Sequence, residues 1–123
     1  MTQEDRQILL KDLSSRLPYG VRYRRFAWDD KREEECISAK IYSISPDGYV
    51  RNYHEDESDY IDNVRPYLFP LSSITKKRLE ELSEYIDIKN AYVAVDLLNS
   101  HHIDYRGLIE KGLAIDATGL NIY

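Results

Sequence analysis

The stretch Ile41-Tyr42-Ser43-Ile44-Ser45-Pro46-Asp47-Gly48-Tyr49-Val50-Arg51 decides the fold. Pro46 presets φ at the second turn position, Asp47 favours the third, and Gly48 closes the turn. On the N-terminal side Ile37, Ala39 and Ile41 fall in phase, which predicts a strand from Cys36 to Ile44. On the other side Tyr49 to Tyr53 returns as its partner. Further back, Val21 and Tyr23 share one face of a strand, with Arg22 and Arg24 on the other. Phe26 and Trp28 have the opposite parity, the mark of a bulge or of two-sided burial. Asp29 to Glu35 is an unbroken run of seven charged residues, read as a solvated loop. The three strands are expected to form an antiparallel meander.

Outside this meander the periodicity changes. Thr2 is an N-cap with Asp5 three residues on, a short relative of the capping box. Leu9, Leu13 and Leu17, widened by Ile8 and Leu10, make the apolar stripe of a helix from Gln3 to Arg16. Pro18-Tyr19-Gly20 ends it. Tyr60 to Val64 reads as a fourth, edge strand. Arg65 to Pro70 is extended, and its two prolines argue against a central strand. Ser72, Ser73 and Thr75 offer caps for a helix to about Tyr85, with Leu79, Leu82 and Ile86 as its stripe. A further helix is expected from Asn90 to His101, with Ala91, Ala94, Val95 and Leu98 on one face and Val93 and Leu97 widening it. Asp104 can cap a short last helix, Tyr105 to Lys111, closed by Gly112. The expectation is one α+β domain over residues 1–123: an N-terminal helix, a three- or four-stranded antiparallel meander, then two to three C-terminal helices covering one face.

Composition narrows the classes. Of the 123 residues, 32 are Leu, Ile, Val or Phe, about a quarter, which is enough to fold. No apolar run approaches the ~18–20 residues of a membrane span, so no membrane partner is expected. The polar, acidic N-terminus is unlike a secretory signal. Cys36 is the only cysteine, so no internal disulfide and no cysteine-based zinc site forms within one chain. These features point to a cytoplasmic setting. A net charge of −5 argues against general nucleic-acid binding but leaves room for a local basic patch. Eleven tyrosines against two Phe and one Trp suit half-buried faces and contact surfaces.

Three stretches belong together: Leu17-Pro18-Tyr19-Gly20-Val21, Arg65-Pro66-Tyr67-Leu68-Phe69-Pro70-Leu71-Ser72-Ser73, and Leu98-Asn99-Ser100-His101-His102-Ile103-Asp104-Tyr105-Arg106-Gly107-Leu108-Ile109. With them the chain resembles a family of short, uncharacterised proteins from gut anaerobic bacteria and their phages. The likeness covers both ends and the proline segment and is loose over Tyr23 to Ser58. It implies a cytosolic or phage-associated accessory protein and brings no activity with it. Lys76-Lys77-Arg78 departs from the family pattern, which is acidic there.

Four constellations carry candidate chemistry. His101, His102 and Asp104, with His54 elsewhere, are the ligand types of a small metal-dependent hydrolase. Adjacent histidines near a helix end point roughly 100° apart, however, and the His-Glu-x-x-His spacing is missing. The plainer expectation is that His101 packs at the helix end and Asp104 caps the next helix. Arg22, Tyr23, Arg24, Arg25, Phe26 and Trp28 interleave cations and rings as a nucleic-acid-binding strand would, with Lys76, Lys77 and Arg78 as a second cluster. Glu55 to Asp62 holds five acids, a possible imitation of a phosphate backbone or simply a solvated loop. Tyr67, Leu68 and Phe69 cannot all point inward from an extended chain, which offers rings to a protein partner or to a second copy in a homodimer. The five glycines form no phosphate loop or dinucleotide fingerprint, and no cofactor or metal is implied. The favoured expectation is a non-enzymatic interaction domain, self-associating through the sheet edge and the proline segment.

Overall fold

The computed structural model describes residues 1–25, 39–53, 58–74, 77, 80 and 91–123, with the backbone alone described at 91–93. The first element is α1, Gln3–Arg16. Its capping box is complete: the Asp5 amide donates to Thr2 Oγ1 at 3.1 Å, and the Thr2 amide donates back to Asp5 Oδ2 at 3.3 Å. Leu9 and Leu13 are fully buried, as the stripe requires. A short 3-10 turn, Leu17–Tyr19, follows, and Gly20 leaves it at φ +70°.

The strands are β1 Arg22–Arg25, β2 Ala39–Ile44, β3 Tyr49–Asn52, β4 Ser58–Tyr60 and β5 Val64–Pro70. After α2, Ala91–Ser100, come two short strands, β6 Ile103–Asp104 and β7 Ile115–Asp116. The order across the sheet is β4-β3-β2-β1-β5-β6, with β7 also paired to β5. The pairs from β4 to β5 are antiparallel; β6 and β7 run parallel to β5. The expected meander is therefore present as β1-β2-β3, and β4 extends it. The turn at its centre is as read: the Gly48 amide donates to the Ser45 carbonyl at 3.1 Å. Gly48 stands at φ +91°, where a side chain is strained. α1 lays Leu9 and Leu13 against Val21, Tyr23, Ile41, Val50, Val64 and Leu68 of the sheet's inner face. Leu108, Leu113 and Ala114 complete that core. The architecture is α+β.

Several expectations are corrected. Arg65 to Pro70 is not peripheral: β5 lies inside the sheet. Neighbouring residues of an extended strand direct their backbone groups to opposite edges. The Phe69 amide donates to the His102 carbonyl on one edge, and the Leu68 carbonyl accepts from the Ala117 amide on the other, both at 2.8 Å. Pro66 sits opposite Tyr23 and costs the ladder one donor, which the flanking pairs Arg24–Arg65 and Arg25–Val64 outweigh. Tyr60 to Val64 is not one strand but the end of β4, a 3-10 turn Ile61–Asn63 and the start of β5. Tyr105 to Lys111 does not form a helix; it is a chain of turns. Asp104 still caps it, accepting from the Leu108 and Ile109 amides at 2.9 Å each. The α2 face also differs: Ala94 and Asn99 are buried while Val95 is 41% exposed. The expected helix to about Tyr85 lies mostly outside the described residues; of its cap candidates Ser72 and Ser73 lie in a 3-10 turn, Leu71–Ser73, and Lys77 and Glu80 are helical. Cys36 and the charged run from Asp29 to Glu35 also lie outside them.

Candidate functional site

The site begins with the alternation of one strand. Val50 and Asn52 of β3 are buried, while Tyr49, Arg51 and Tyr53 around them are exposed. Same-face residues on a strand stand about 6.6–6.8 Å apart, so β3 and its continuation present ring, cation, ring along one line. Adjacent β2 adds Lys40 and Tyr42 to the same face. A register shift between Ile41 and Ser43 places Tyr42 at a bulge, which turns its ring towards Tyr53. The two rings meet edge to face at 5.4 Å. Lys40 Nζ lies 5.3 Å from the centre of the Tyr53 ring. On the other side of Arg51, Tyr49 meets Tyr60 of β4 at 5.4 Å, directly opposite in register. Tyr42, Tyr49 and Tyr53 are 55%, 45% and 61% exposed, which leaves about half of each available to a partner.

Among the described residues the charge on these strands is mostly positive, with exposed Asp47 of the β2–β3 turn as an acid on the same face. Among the residues of β1 to β4 the charged groups are Arg22, Arg24, Arg25, Lys40 and Arg51, against one acid, Asp59. Asp59 is turned inward and buried, where it pairs with Arg25 and accepts from Tyr23 Oη at 2.6 Å. Asn52 Nδ2 donates to the same Tyr23 oxygen at 3.0 Å. Burial, then the bond to Asp59, pushes the Tyr23 phenol well above its ordinary range. This inner network ties β1, β3 and β4 together beneath the tyrosines. Arg22 stands opposite Lys40, and Arg24 opposite Arg65, so cation faces cation across two strand pairs. Beside Tyr49 and Arg51 the face dips into an open depression of about 390 Å³, which Ser43, Ser45, Asp47 and Ser58 also line. Arg51 Nε donates to Ser58 Oγ at 3.3 Å across its floor.

The residues singled out from sequence go to different places. Arg22 and Arg24 are half-buried on β1. Trp28, Phe26 and His54 lie outside the described residues. Tyr67 and Leu68 are buried and Phe69 is partly so, because the C-terminal segment closes over β5. Tyr123 Oη donates to the Tyr67 carbonyl at 2.8 Å and accepts from the Arg22 amide at 2.9 Å. The Tyr123 ring stacks on His102 at 3.6 Å, the two planes 11° apart, and tilts against Phe69 at 6.0 Å. Burial raises the Tyr123 phenol to about 12.

The His101 to Asp104 segment is divided in the same way. His101 is exposed rather than packed at the helix end. His102 is buried at φ +59°, the left-handed residue that ends α2, with its amide donating to the Asn99 carbonyl at 3.1 Å. Burial first, then the positive field of Arg16, lowers the His102 imidazole to about 4. Asp104 is occupied by the two amides it caps. Among the described residues no three His, Cys, Asp or Glu side chains are grouped to hold a metal.

No protein family, curated protein or solved structure matches this chain.

Of the residues of the candidate surface, Arg22 and Arg24 were legible in the sequence. Lys40, Tyr42, Tyr49, Arg51 and Tyr53 were not singled out, though the pattern Tyr-x-Arg-x-Tyr on a strand announces one ring-and-cation face. Among the described residues no helix is long and apolar enough to cross a membrane.

Proposed function

We propose that this chain is a non-enzymatic interaction domain, of the cytoplasmic, phage-associated accessory kind its resemblance implies, that binds its partner on the outer face of β2, β3 and β4. The observation that carries this reading is the set Tyr42, Tyr49 and Tyr53, each 45% to 61% exposed on one side of a sheet whose other side is core. A tyrosine left in water on a flat, hydrogen-bonded support loses little conformational freedom on contact and gains a large ring area. Of the rings expected to make a self-contact, Tyr67 is buried and Phe69 partly so, which favours the exposed tyrosines as the contact surface.

The test compares the wild-type protein with a Tyr42→Ser, Tyr49→Ser, Tyr53→Ser variant in light scattering and in affinity capture from a bacterial extract, counting protein and nucleic acid together. Self-association or capture by the wild type, lost in a variant that is still folded at the assay temperature, is the expected result. Equal behaviour of the two proteins would overturn the assignment of this face.

A further inference from the structure

We propose that the occupant of this face is a single-stranded nucleic acid, an inference that rests on the outer sheet face being the binding surface. Every base has a π-face that stacks on an aromatic ring, and every nucleotide carries a phosphate that needs a cation. The line Tyr49, Arg51, Tyr53 offers ring, cation, ring at strand spacing, and Lys40 flanks the second ring. The three exposed tyrosines stand on neighbouring strands with no acid of β1 to β4 on their side, because Asp59 is buried behind them. In a chain of net charge −5, Lys40 and Arg51 beside these rings make a local cationic patch, with Asp47 at its border.

The depression beside Arg51 supplies the remaining polar groups. Ser43 and Ser58 hydroxyls lie with Arg51 where a phosphate would sit, and Asp47 can accept from a base amino group or a sugar hydroxyl. A protein surface is a poorer complement to Lys40 and Arg51, because it would have to be acidic at the spacing of both cations. A second copy brought face to face would set cation against cation.

The experiment is fluorescence anisotropy with two labelled probes of about 12 nucleotides, one of thymidine and one of uridine, to separate DNA from RNA. Counting Lys40 and Arg51 as two phosphate contacts, binding should weaken about sevenfold between about 50 mM and about 200 mM salt. Tyr53→Ser and Tyr49→Ser should each weaken it about fivefold or more through one lost stack, with each variant still folded at the assay temperature by thermal melting. Arg51→Ala should weaken binding and flatten the salt dependence. Neither probe binding at low salt, while light scattering shows a self-association that the tyrosine variants abolish, would overturn the nucleic-acid occupant and leave the binding face standing. Binding that none of these substitutions alters, or no binding and no self-association, would overturn both.

Discussion

Asp12→Ala should cost this protein a large part of its stability. Asp12 and Arg16 lie one turn apart on α1, and both are fully buried. Asp12 accepts from Arg16 Nε at 2.9 Å, from Arg16 Nη2 at 3.1 Å and from Arg106 Nη1 at 2.7 Å. Arg16 has one further acceptor, the Ile103 carbonyl, at 2.6 Å. Removing the carboxylate leaves a guanidinium out of water with one hydrogen bond and a second cation nearby. Such an orphaned charge costs about 3–5 kcal/mol. With a urea slope of about 2 kcal/mol per M, the midpoint should fall by about 2 M. Asp12→Leu combined with Arg16→Met removes both charges and keeps the volume, so it should lose at least about 2 kcal/mol less than the single change. Arg106, whose side chain is 21% exposed, can turn to solvent in that background. Urea unfolding followed by circular dichroism measures both variants, and the double variant stays readable if the single one does not fold. An Asp12→Ala loss under about 1 kcal/mol, or a double variant worse than the single, would refute the reasoning.

Further outcomes follow from the same geometry. The unfolded His102 imidazole titrates near 6.5 and the folded one at about 4, so stability is complete above about pH 6.5 and drains as pH falls towards about 4. His102→Asn, which tolerates the left-handed backbone, should shrink the difference in urea midpoint between about pH 7 and about pH 5; an unchanged difference assigns the effect elsewhere. Tyr23→Phe strips buried Asp59 and Asn52 of a shared partner and should cost about 1–3 kcal/mol, less in an Asp59→Ala background, as a double-mutant cycle would show. Gly48→Ala places a Cβ 3.3 Å from Tyr60 Cε2 at φ +91° and should lower stability by about 1–3 kcal/mol, read from thermal melting.

What could be read from sequence divides along physical lines. α1 was legible because its cap, its four-residue leucine spacing and its Pro-Tyr-Gly stop are all local signals. The Ser45–Gly48 turn and the strands beside it were legible for the same reason. β5 was not, because proline weakens a strand locally while two edges of tertiary pairing override it. β6 and β7 are two residues each, too short for any periodicity. The cap at Asp104 was legible but the helix after it was not: the carboxylate holds two amides whether or not a helix continues. Asp12 and Arg16 stand at the spacing of a surface ion pair, and nothing local says that Ile103 and Arg106 arrive to bury them. The tyrosine face was obscured by the same averaging that gives the chain a net negative charge.

The order in which the chain leaves the ribosome gives the double pairing of β5 a cost. Tyr67 to Pro70 is made 33 residues or more before Ile103 and 45 or more before Ile115, in the two companions of that stretch. Until they arrive, the half of the strand carrying Tyr67, Leu68 and Phe69 lacks the partners it has in the finished sheet. A translation product halted before residue 103 would keep that border open for good, ready to recruit a stranger's strand in place of its own.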